Sequence, residues 1–273
     1  MPTQSEKAIR FQALHHQKHA FIIPNPWDVG TTKLLTHLGF EALATTSAGD
    51  AFSRGLRDGS IGRDATLAHA AELVAATDLP VSADLENCYG DTPEIVGETI
   101  RLAATTGLVG ASVEDATGRA DHAIYPFELA VERVRAAAEA AHSLPYPFML
   151  VGRAENFLHG RPDLADTIKR LQAYQEAGAD VLYAPGLANK NDIATVLSAI
   201  DRPLNVVMGL QGASFTVAEL SALGVARISV GSALSRAALG AFMRAAREMR
   251  EHGSFKFAED AISYRDISAI FEA

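Results

Sequence analysis

The chain alternates short apolar runs with longer stretches whose apolar residues recur every three or four positions. The short runs are apolar on both faces, which is typical of strands in a parallel sheet that helices cover on both sides. They predict eight strands: FIIPN (21–25), ALATTS (42–47), PVSADLE (80–86), GASVED (110–115), FMLVGRAE (148–155), VLYAPG (181–186), PLNVVM (203–208) and RISVGS (227–232).

The longer stretches lie between or after these runs and have helical spacing. The clearest are TLAHAAELVAATD (66–78), PEIVGETIRLAATTG (93–107), FELAVERVRAAAEAAHSL (127–144), DLADTIKRLQAYQEAG (163–178) and SRAALGAFMRAAREMREHG (235–253). Eight strand–helix units in about 230 residues predict an α/β chain that folds as a (β/α)8 TIM barrel. A doubly wound sheet is the alternative, but it usually has fewer strands and often a glycine-rich phosphate loop, which this sequence lacks.

The two ends of the chain are predicted to be helical. We expect one barrel domain over residues 1–273, with an N-terminal helix at about 4–19 and a C-terminal helical extension at about 254–273. The extension has no barrel position left, so its apolar face is expected to cover a neighbouring subunit or the barrel bottom. The longest irregular stretch, 48–63, follows strand two, where long loops of barrels commonly close over ligands.

Composition and charge narrow the function classes. The chain has 273 residues, of which 48% are hydrophobic, and a formal net charge of −9. This charge argues against a nucleic-acid partner, and an anionic substrate would need local positive charge from a metal or an arginine. No apolar run approaches the roughly 20 residues of a membrane span, so no membrane partner is expected. The single cysteine, Cys88, excludes an internal disulfide and fits a cytoplasmic location.

Three carboxylates lie where two predicted strands end. Asp84 and Glu86 share one face of the third strand, because residues two apart in a strand point the same way, and Glu114 ends the fourth. Like charges this close repel unless a cation neutralises them. An all-oxygen set suits Mg²⁺, or Mn²⁺, rather than Zn²⁺. The alternative is a capping aspartate with a solvated glutamate.

Other polar residues are expected at the same rim. Arg153 and Glu155 form a pair two residues apart at the end of strand five, where the arginine could clamp a carboxylate or a developing oxyanion. The backbone N–H groups of Ser47, Ala48 and Gly49 could hold a substrate carboxylate. Two further candidates follow strands one and two.

These two are Asp58 and Trp27. Asp58, on the long loop, is a candidate acid or base, and Trp27 is a core residue or a residue that lines the site. Together the set suits Mg²⁺ held through Asp84, with Glu86 and Glu114 acting partly through water. Such an ion could chelate a 2-oxo acid and stabilise the enolate left when the adjacent bond breaks.

The motifs resemble the isocitrate lyase/phosphoenolpyruvate mutase superfamily. Its acidic pair followed by an aromatic-Gly step is similar to DLENCYG (84–90), and the resemblance extends through PNPWDVGTTKLL, TTSAGDAFSRGLRDG, SVEDATG, GRAENF, EAGADVLYAPG and GVARISVGSAL. The resemblance implies that Asp84, Glu86 and Glu114 form the Mg²⁺ shell. It further implies a homo-oligomer, a dimer or a tetramer, in which the last barrel helix is exchanged between partners.

The resemblance assigns the remaining site residues as well. It implies that Ser47, Ala48 and Gly49 take the substrate carboxylate, that Arg153 contacts the substrate, and that Asp58 lies on the gating loop.

Departures from the family pattern keep several functions open. The Lys-Lys-Cys-Gly-His loop of the isocitrate and methylisocitrate lyases is replaced by ATGRADHAIYPF (116–127), and the Asn-rich segment of the mutases is missing. Cys88, beside the proposed metal site, is either a displaced acid or base, or a buried thiol with no role. A Schiff-base aldolase would need a lysine on a strand, and no predicted strand contains one.

The sequence therefore predicts a Mg²⁺-dependent lyase that breaks a C–C bond next to the carboxylate of a small 2-oxo or 2-hydroxy acid, through an enolate. The alternatives are a C–P bond phosphonomutase or phosphonopyruvate hydrolase, and a non-catalytic barrel that binds a 2-oxo acid. In each case the partner is a small anionic 2-oxo acid or phosphonate. Because Arg153 is expected on the rim, Arg153→Ala should remove most activity while the fold survives.

Overall fold

The computed structural model describes residues 2–210 and 214–272. Its eight strands lie in one parallel sheet with the order β1-β8-β7-β6-β5-β4-β3-β2. The strands are β1 (Phe21–Ile23), β2 (Leu43–Ala44), β3 (Val81–Asp84), β4 (Gly110–Glu114), β5 (Met149–Arg153), β6 (Val181–Tyr183), β7 (Leu204–Val207) and β8 (Arg227–Ser229). In this order β1 and β2 are the two end strands. A hydrogen bond of 3.1 Å from the Ala44 N–H to the Pro24 carbonyl joins them and closes the sheet. The predicted (β/α)8 barrel is confirmed, and the doubly wound alternative is wrong.

Helices follow the strands around the barrel. They are α1 (Gln4–Leu14), α2 (Val29–His37), α3 (Ser47–Ser53), α4 (Arg63–Ala75), α5 (Pro93–Thr105), α6 (Phe127–His142), α7 (Leu164–Glu176), α8 (Lys190–Ala199), α9 (Val217–Leu223), α10 (Ala233–His252) and α11 (Tyr264–Glu272), with a 3₁₀ helix at Lys256–Asp260. No helix among the described residues combines the length and apolar character that a membrane crossing requires.

Three predictions about local structure were wrong in detail. The strands are shorter than predicted, because each ends where its residues leave the sheet to form the rim loops. The N-terminal helix ends at Leu14 rather than near residue 19. The stretch 48–63 is not wholly irregular, since α3 begins at Ser47, with the Thr46 hydroxyl accepting from the Gly49 N–H at 3.2 Å as its N-cap.

Helix α1 closes the bottom of the barrel. Phe11 is fully buried and packs with Phe21 and His15 in edge-to-face contacts, with ring centroids 6.3 Å and 4.8 Å away. Burying one such aromatic ring stabilises the fold by about 2 kcal/mol. The apolar lower layer of the barrel interior rests on this helix.

The C-terminal helices are only loosely attached to the barrel. Within α10 only Ser235 is buried, and Phe242 remains 68% exposed. Helix α11 contacts α2, where the Phe271 ring lies near Gly30. The expectation that the extension covers the barrel bottom is wrong, because α1 fills that place. Exposed apolar residues on this part of the chain are Leu234, Leu239, Phe242, Met243, Met249, Phe255, Ile262, Tyr264 and Phe271.

Candidate active site at the C-terminal rim of the barrel

Two connected cavities open at the C-terminal ends of the strands. The outer cavity has a volume of 1490 Å³ and lies under the loops that follow β2, β3, β4 and β5. The inner cavity has a volume of 260 Å³ and extends into the barrel. Ser47, Asp58 and Arg153 line both cavities, so they mark the passage between them. The acids predicted at the rim lie around this passage.

Arg153 is the central cation of the rim. Its guanidinium lies 3.5 Å from the Asp84 carboxylate and 3.2 Å from that of Glu114, and its Nε donates to Glu155. The ring of Tyr183 lies 5.1 Å from the guanidinium carbon. One arginine therefore contacts three carboxylates from three neighbouring strand ends.

Negative charge nevertheless exceeds positive charge at this rim. Burial, together with the nearby carboxylates of Asp84 and Asp58, raises the pKa of Glu86 to about 7. Burial also raises the pKa of Glu114 well above its ordinary value, although Arg153 opposes the shift. Both glutamates are thus held in a place where a carboxylate is costly until a further cation arrives.

Glu155 behaves differently from these two acids. Burial alone would raise its pKa, but Arg153 and a hydrogen bond from His159 hold the pKa below its ordinary value. The Glu155 side chain is almost fully buried, and its backbone N–H donates to the Asp115 carboxylate at 2.8 Å. An ionised, buried partner of Arg153 is suited to fixing the guanidinium rather than to moving protons.

Glu86 lies at the rim because of the loop that follows β3, not because side chains alternate along the strand. Strand β3 ends at Asp84, so the prediction that Glu86 lies on the same strand face is wrong. Glu86, Cys88 and Tyr89 have left-handed backbones with φ of 50°, 59° and 62°, each of which costs of order 1 kcal/mol for a residue with a side chain. The Glu86 carbonyl accepts the Glu114 N–H at 3.1 Å, which joins the two strand ends.

Arg133 of α6 holds this strained loop from below. The side chain is 1% exposed, stacks on Tyr125 with 4.1 Å from guanidinium carbon to ring centroid, and donates to three loop carbonyls at 2.5 to 2.6 Å. Those carbonyls belong to Asn87, Gly90 and Asp91. An arginine inside the apolar stripe of a helix was the sequence signal for this role, and the prediction missed it.

Asp115 anchors the rim on the side facing the helices. It accepts hydrogen bonds from the Arg170 guanidinium at 3.0 Å and from the Tyr174 hydroxyl at 2.6 Å, and all three side chains are buried. Glu114 lines the outer cavity, whereas the Asp115 side chain is buried against α7. Because Asp115 also accepts from the Glu155 N–H, it ties α7 to the partner of Arg153.

The residues after β2 divide into two groups. Ser47 donates to Asp84 at 3.2 Å, and Ala48 lines the inner cavity. The Gly49 N–H is already taken by Thr46, and a Cβ at Gly49 would approach Thr46 to 2.5 Å and Trp27 to 3.0 Å. Gly49 and Trp27 are not among the residues that line either cavity, so close packing accounts for this glycine.

Asp58 and Cys88 differ in how readily they could exchange a proton. Desolvation at the cavity mouth raises the pKa of Asp58, with Asp84 adding to the shift and Ser47 opposing it, so this acid can carry a proton nearer neutral pH. Cys88 is fully buried, and burial raises the pKa of its thiol to about 12. A thiol in that state is a poor acid or base, which favours the interpretation that Cys88 has no catalytic role.

The donor set fits a hard divalent cation that keeps part of its water. In the part of the chain that the structure describes, no three His, Cys, Asp or Glu side chains could hold a metal ion as they stand. However, Asp84 lies beside both glutamates with raised pKa, and every donor is a carboxylate oxygen. Mg²⁺ commonly binds through one or two carboxylates and several waters, which matches this arrangement.

The sequence analysis missed two residues on the other side of the inner cavity. Tyr183 ends β6, and Arg227 begins β8, where a charged residue inside an apolar strand was the available signal. Both line the inner cavity together with Asn205 and Ser229, whose side chains are joined by a hydrogen bond of 3.0 Å. This wall contributes no carboxylate.

Comparison with known proteins agrees with the fold. The phosphoenolpyruvate phosphomutase family model matches residues 11–250. A proposed lyase/mutase from Burkholderia cenocepacia J2315, known from a crystal structure, is 61% identical, with a TM-score of 0.97 over 99% of this chain and 97% of that chain.

Two further relatives are known by sequence. The uncharacterized protein Rv1998c of Mycobacterium tuberculosis (strain ATCC 25618 / H37Rv) is 34% identical over 88% of this chain and 89% of its own length. The 2-methylisocitrate lyase of Bacillus subtilis (strain 168) is 28% identical over 98% and 93%. The relatives thus include a lyase, which supports an enzymatic role of the lyase or mutase type. The chain belongs to the phosphoenolpyruvate phosphomutase family, within the isocitrate lyase/PEP mutase superfamily.

Proposed function

We propose that this protein is a Mg²⁺-dependent lyase that cleaves a C–C bond next to the carboxylate of a small 2-oxo or 2-hydroxy acid. The observation that carries the proposal is the rim around Arg153, where one guanidinium contacts three carboxylates and two further acids lie close by. Such a site attracts a divalent cation and, through that cation and Arg153, an anionic substrate.

Asp84, Glu86 and Glu114 would hold the ion, with Asp84 as the direct ligand and the glutamates acting partly through water. When bound, Mg²⁺ would supply a Lewis acid that polarises the oxygen next to the breaking bond and stabilises developing negative charge. Mn²⁺ suits the same oxygen donors. Ser47 would orient Asp84 through the hydrogen bond that the two side chains share.

Arg153 would bind the substrate carboxylate or the oxygen that gains charge as the bond breaks. Its position is fixed by Glu155, which is buried and ionised, and by the Tyr183 ring on its other side. A guanidinium held in place before the reaction costs no reorganisation when charge develops. The backbone N–H groups of Ser47 and Ala48 would bind the second oxygen of that carboxylate.

Asp58 would deliver or remove the proton that accompanies bond cleavage. Its pKa is raised, it lies at the passage between the cavities, and it is carried by the loop between α3 and α4. A proton donor at an enolate carbon must work close to its pKa, which a raised carboxyl pKa favours. Closure of that loop would exclude water from the enolate.

C–P bond chemistry is the second candidate, because the matching family is described as a phosphomutase. The loop 116–127 decides between the two through residues that would contact the leaving group, and it carries neither lysine nor cysteine. We favour C–C cleavage because the B. subtilis relative is a lyase. We also propose a cytoplasmic homo-oligomer, dimer or tetramer, in which the exposed apolar face of α10 packs against a partner.

The test is turnover of a panel containing oxaloacetate, methylisocitrate, dimethylmalate, phosphonopyruvate and phosphoenolpyruvate. Release of pyruvate, glyoxylate or CO₂ should require Mg²⁺ and stop with EDTA. Asp84→Ala should lower turnover by at least about 1000-fold. Asp78→Ala, which removes an exposed carboxylate before the same strand, should leave turnover unchanged. Saturable binding of these acids without turnover of any would instead support the non-catalytic barrel.

A further inference from the structure

The inner cavity contains a buried cation that the proposed reaction does not use. Arg227 begins β8, pairs in register with Phe21 and Asn205, and is 5% exposed. Two residues along the strand, Ser229 faces the same way, and both residues line the inner cavity. The side chain therefore lies inside the barrel, below the level of Arg153.

No acid among the residues that the structure describes neutralises Arg227. Its Nε and Nη1 atoms are buried without a hydrogen-bond partner, and among the described residues it forms no ion pair. Burial lowers its pKa to about 10, and the only opposing group is the phenol of Tyr183, whose own pKa burial raises. An arginine does not lose its proton at neutral pH, so the charge remains uncompensated.

The residues between Arg227 and the barrel bottom do not neutralise its charge either. Its guanidinium carbon lies 5.9 Å from the ring centroid of Phe11, which belongs to the helix that closes the barrel bottom. His15, which follows that helix, cannot supply a counter-charge, because burial together with Arg227 lowers its pKa to about 3 and keeps it neutral. Only the cavity side of Arg227 is open to an anion.

The cavity has the size and walls for a short acid. Its 260 Å³ corresponds to about nine water molecules at roughly 30 Å³ each. Val151, Val207 and Ala83 provide apolar walls, and Asn205 adds a polar side chain whose amide donates to Ser229. Because Arg153, Ser47 and Asp58 line both cavities, a molecule bound at the rim can extend inward without passing through another opening.

We propose that Arg227 is the cation of an inner anion-binding subsite that takes the second carboxylate of a short dicarboxylic substrate, whose other end lies at Arg153 and Asp84. The choice of substrate class rests on the proposed function. The apolar walls would contact the methylene carbons between the two carboxylates. A buried, desolvated guanidinium gives a strong charge-assisted contact to a carboxylate, and it rejects a methyl group in the same place because the charge then stays unpaired.

The test compares 2-hydroxy acids that differ only by carboxylate or methyl at the far end. Three matched pairs cover three lengths: malate with 2-hydroxybutyrate, 2-hydroxyglutarate with 2-hydroxyvalerate, and 2-hydroxyadipate with 2-hydroxycaproate. Calorimetry with Mg²⁺ and the full-length protein should show, for at least one length, a preference for the dicarboxylate of about 10- to 100-fold. Arg227→Met should reduce that preference below about threefold, by weakening binding of the dicarboxylate and without weakening binding of the methyl partner.

Two variants serve as controls. Arg202→Met, the same change at an exposed arginine before β7, should keep the full preference. Arg227→Lys should keep part of the preference, because it retains the charge and loses the planar fork. Since Arg227→Met removes an unpaired buried charge, its melting temperature should rise, which separates loss of the subsite from loss of the fold.

Three results would overturn the subsite. The first is an unchanged preference in Arg227→Met at every length. The second is a crystal soaked with the best acid that shows only water at Arg227. The third is a crystal soaked with bromide and the acid together in which bromide stays at Arg227 while the acid is bound elsewhere. Failure of the proposed function looks different. In that case the dicarboxylates would bind with the Arg227-dependent preference, and none of the panel substrates would be turned over.

Discussion

The two halves of the barrel interior carry opposite charge. On the side of β3, β4 and β5, Asp84, Glu114 and Glu155 surround Arg153, and the half is acidic. On the side of β6, β7 and β8, Arg227 is buried among neutral polar groups. The acidic half needs a further cation to balance its charge, and the half that contains Arg227 needs an anion. The difference indicates a site that is electrostatically incomplete until a metal and an anionic substrate arrive together.

After Asp84→Ala, the largest expected effect comes from removing the cation of the acidic half. Arg153→Met should lower activity by at least about 100-fold, because a positioned oxyanion partner is lost. It should also lower the free energy of unfolding by about 3 kcal/mol, since the buried Glu155 loses Arg153 and is left with the contact to His159. The prediction from sequence, that the fold survives loss of Arg153, is kept here with a cost in stability added. Kinetics and denaturant unfolding at saturating Mg²⁺ measure both effects.

The double variant Arg153→Met/Glu155→Gln separates the two effects. It removes the orphaned charge, so most of the lost stability should return while activity stays low. If activity returns as well, Arg153 has no role in the reaction, and its contacts serve only the fold.

A smaller effect is expected from the residue that holds the strained loop. Arg133→Met should weaken Mg²⁺ binding by about 10- to 100-fold, because the carbonyls of Asn87, Gly90 and Asp91 lose the donor that fixes the position of Glu86. Isothermal titration with Mg²⁺ measures the loss. Arg135→Met, an exposed neighbour on the same helix, is the matched control. Equal affinities in the two variants would show that the loop keeps its shape without Arg133.

Metal affinity should depend on pH around neutrality. The pKa of Glu86 is raised to about 7, and a proton competes with the ion for this carboxylate. Affinity for Mg²⁺ should therefore fall as pH drops from 8 to 6, by up to about tenfold per unit below pH 7. The same raised pKa means that the metal-free fold gains stability as pH falls through 7 toward the ordinary glutamate pKa.

Glu86→Gln provides the comparison for this pH profile. The variant should bind Mg²⁺ more weakly at pH 8 and show a flatter pH profile, in which only the Glu114 contribution remains. A profile as steep as that of the unmodified protein would assign the titration to another group.

The smallest effect is expected at Cys88. Cys88→Ala should leave turnover within about twofold, because a buried thiol with a pKa of about 12 does not exchange protons in the reaction. The cost should be about 1 kcal/mol of stability from the small cavity left behind. Steady-state kinetics and thermal melting test both parts, and a loss of turnover beyond 100-fold at unchanged melting temperature would restore a catalytic role.

Sequence reasoning found the barrel because strand and helix periods are local properties of the chain. It also found the acidic half, since Asp84, Glu114 and Arg153 end strands whose carboxyl ends meet at one rim. It predicted Glu86 at the rim but for the wrong reason, because a left-handed backbone at a residue with a side chain leaves no pattern in the sequence.

The rest depends on contacts between distant segments. Arg133 holds a loop more than 40 residues earlier in the chain, and Arg227 faces groups from β6 and β7. No periodic pattern encodes such contacts. A charged residue inside an apolar stripe or strand is the only sign of them that the sequence carries, and it does not reveal the partner.

The central claim is that the acidic half binds a divalent cation beside Arg153. The most direct measurement is a crystal structure with Mn²⁺ and oxalate, a stable stand-in for a 2-oxo acid, using the anomalous signal of manganese. We predict a single strong peak in contact with Asp84, with Glu86 and Glu114 within one water of it and oxalate reaching Arg153. No peak at this rim at saturating Mn²⁺, or a peak only elsewhere on the protein, would contradict the account.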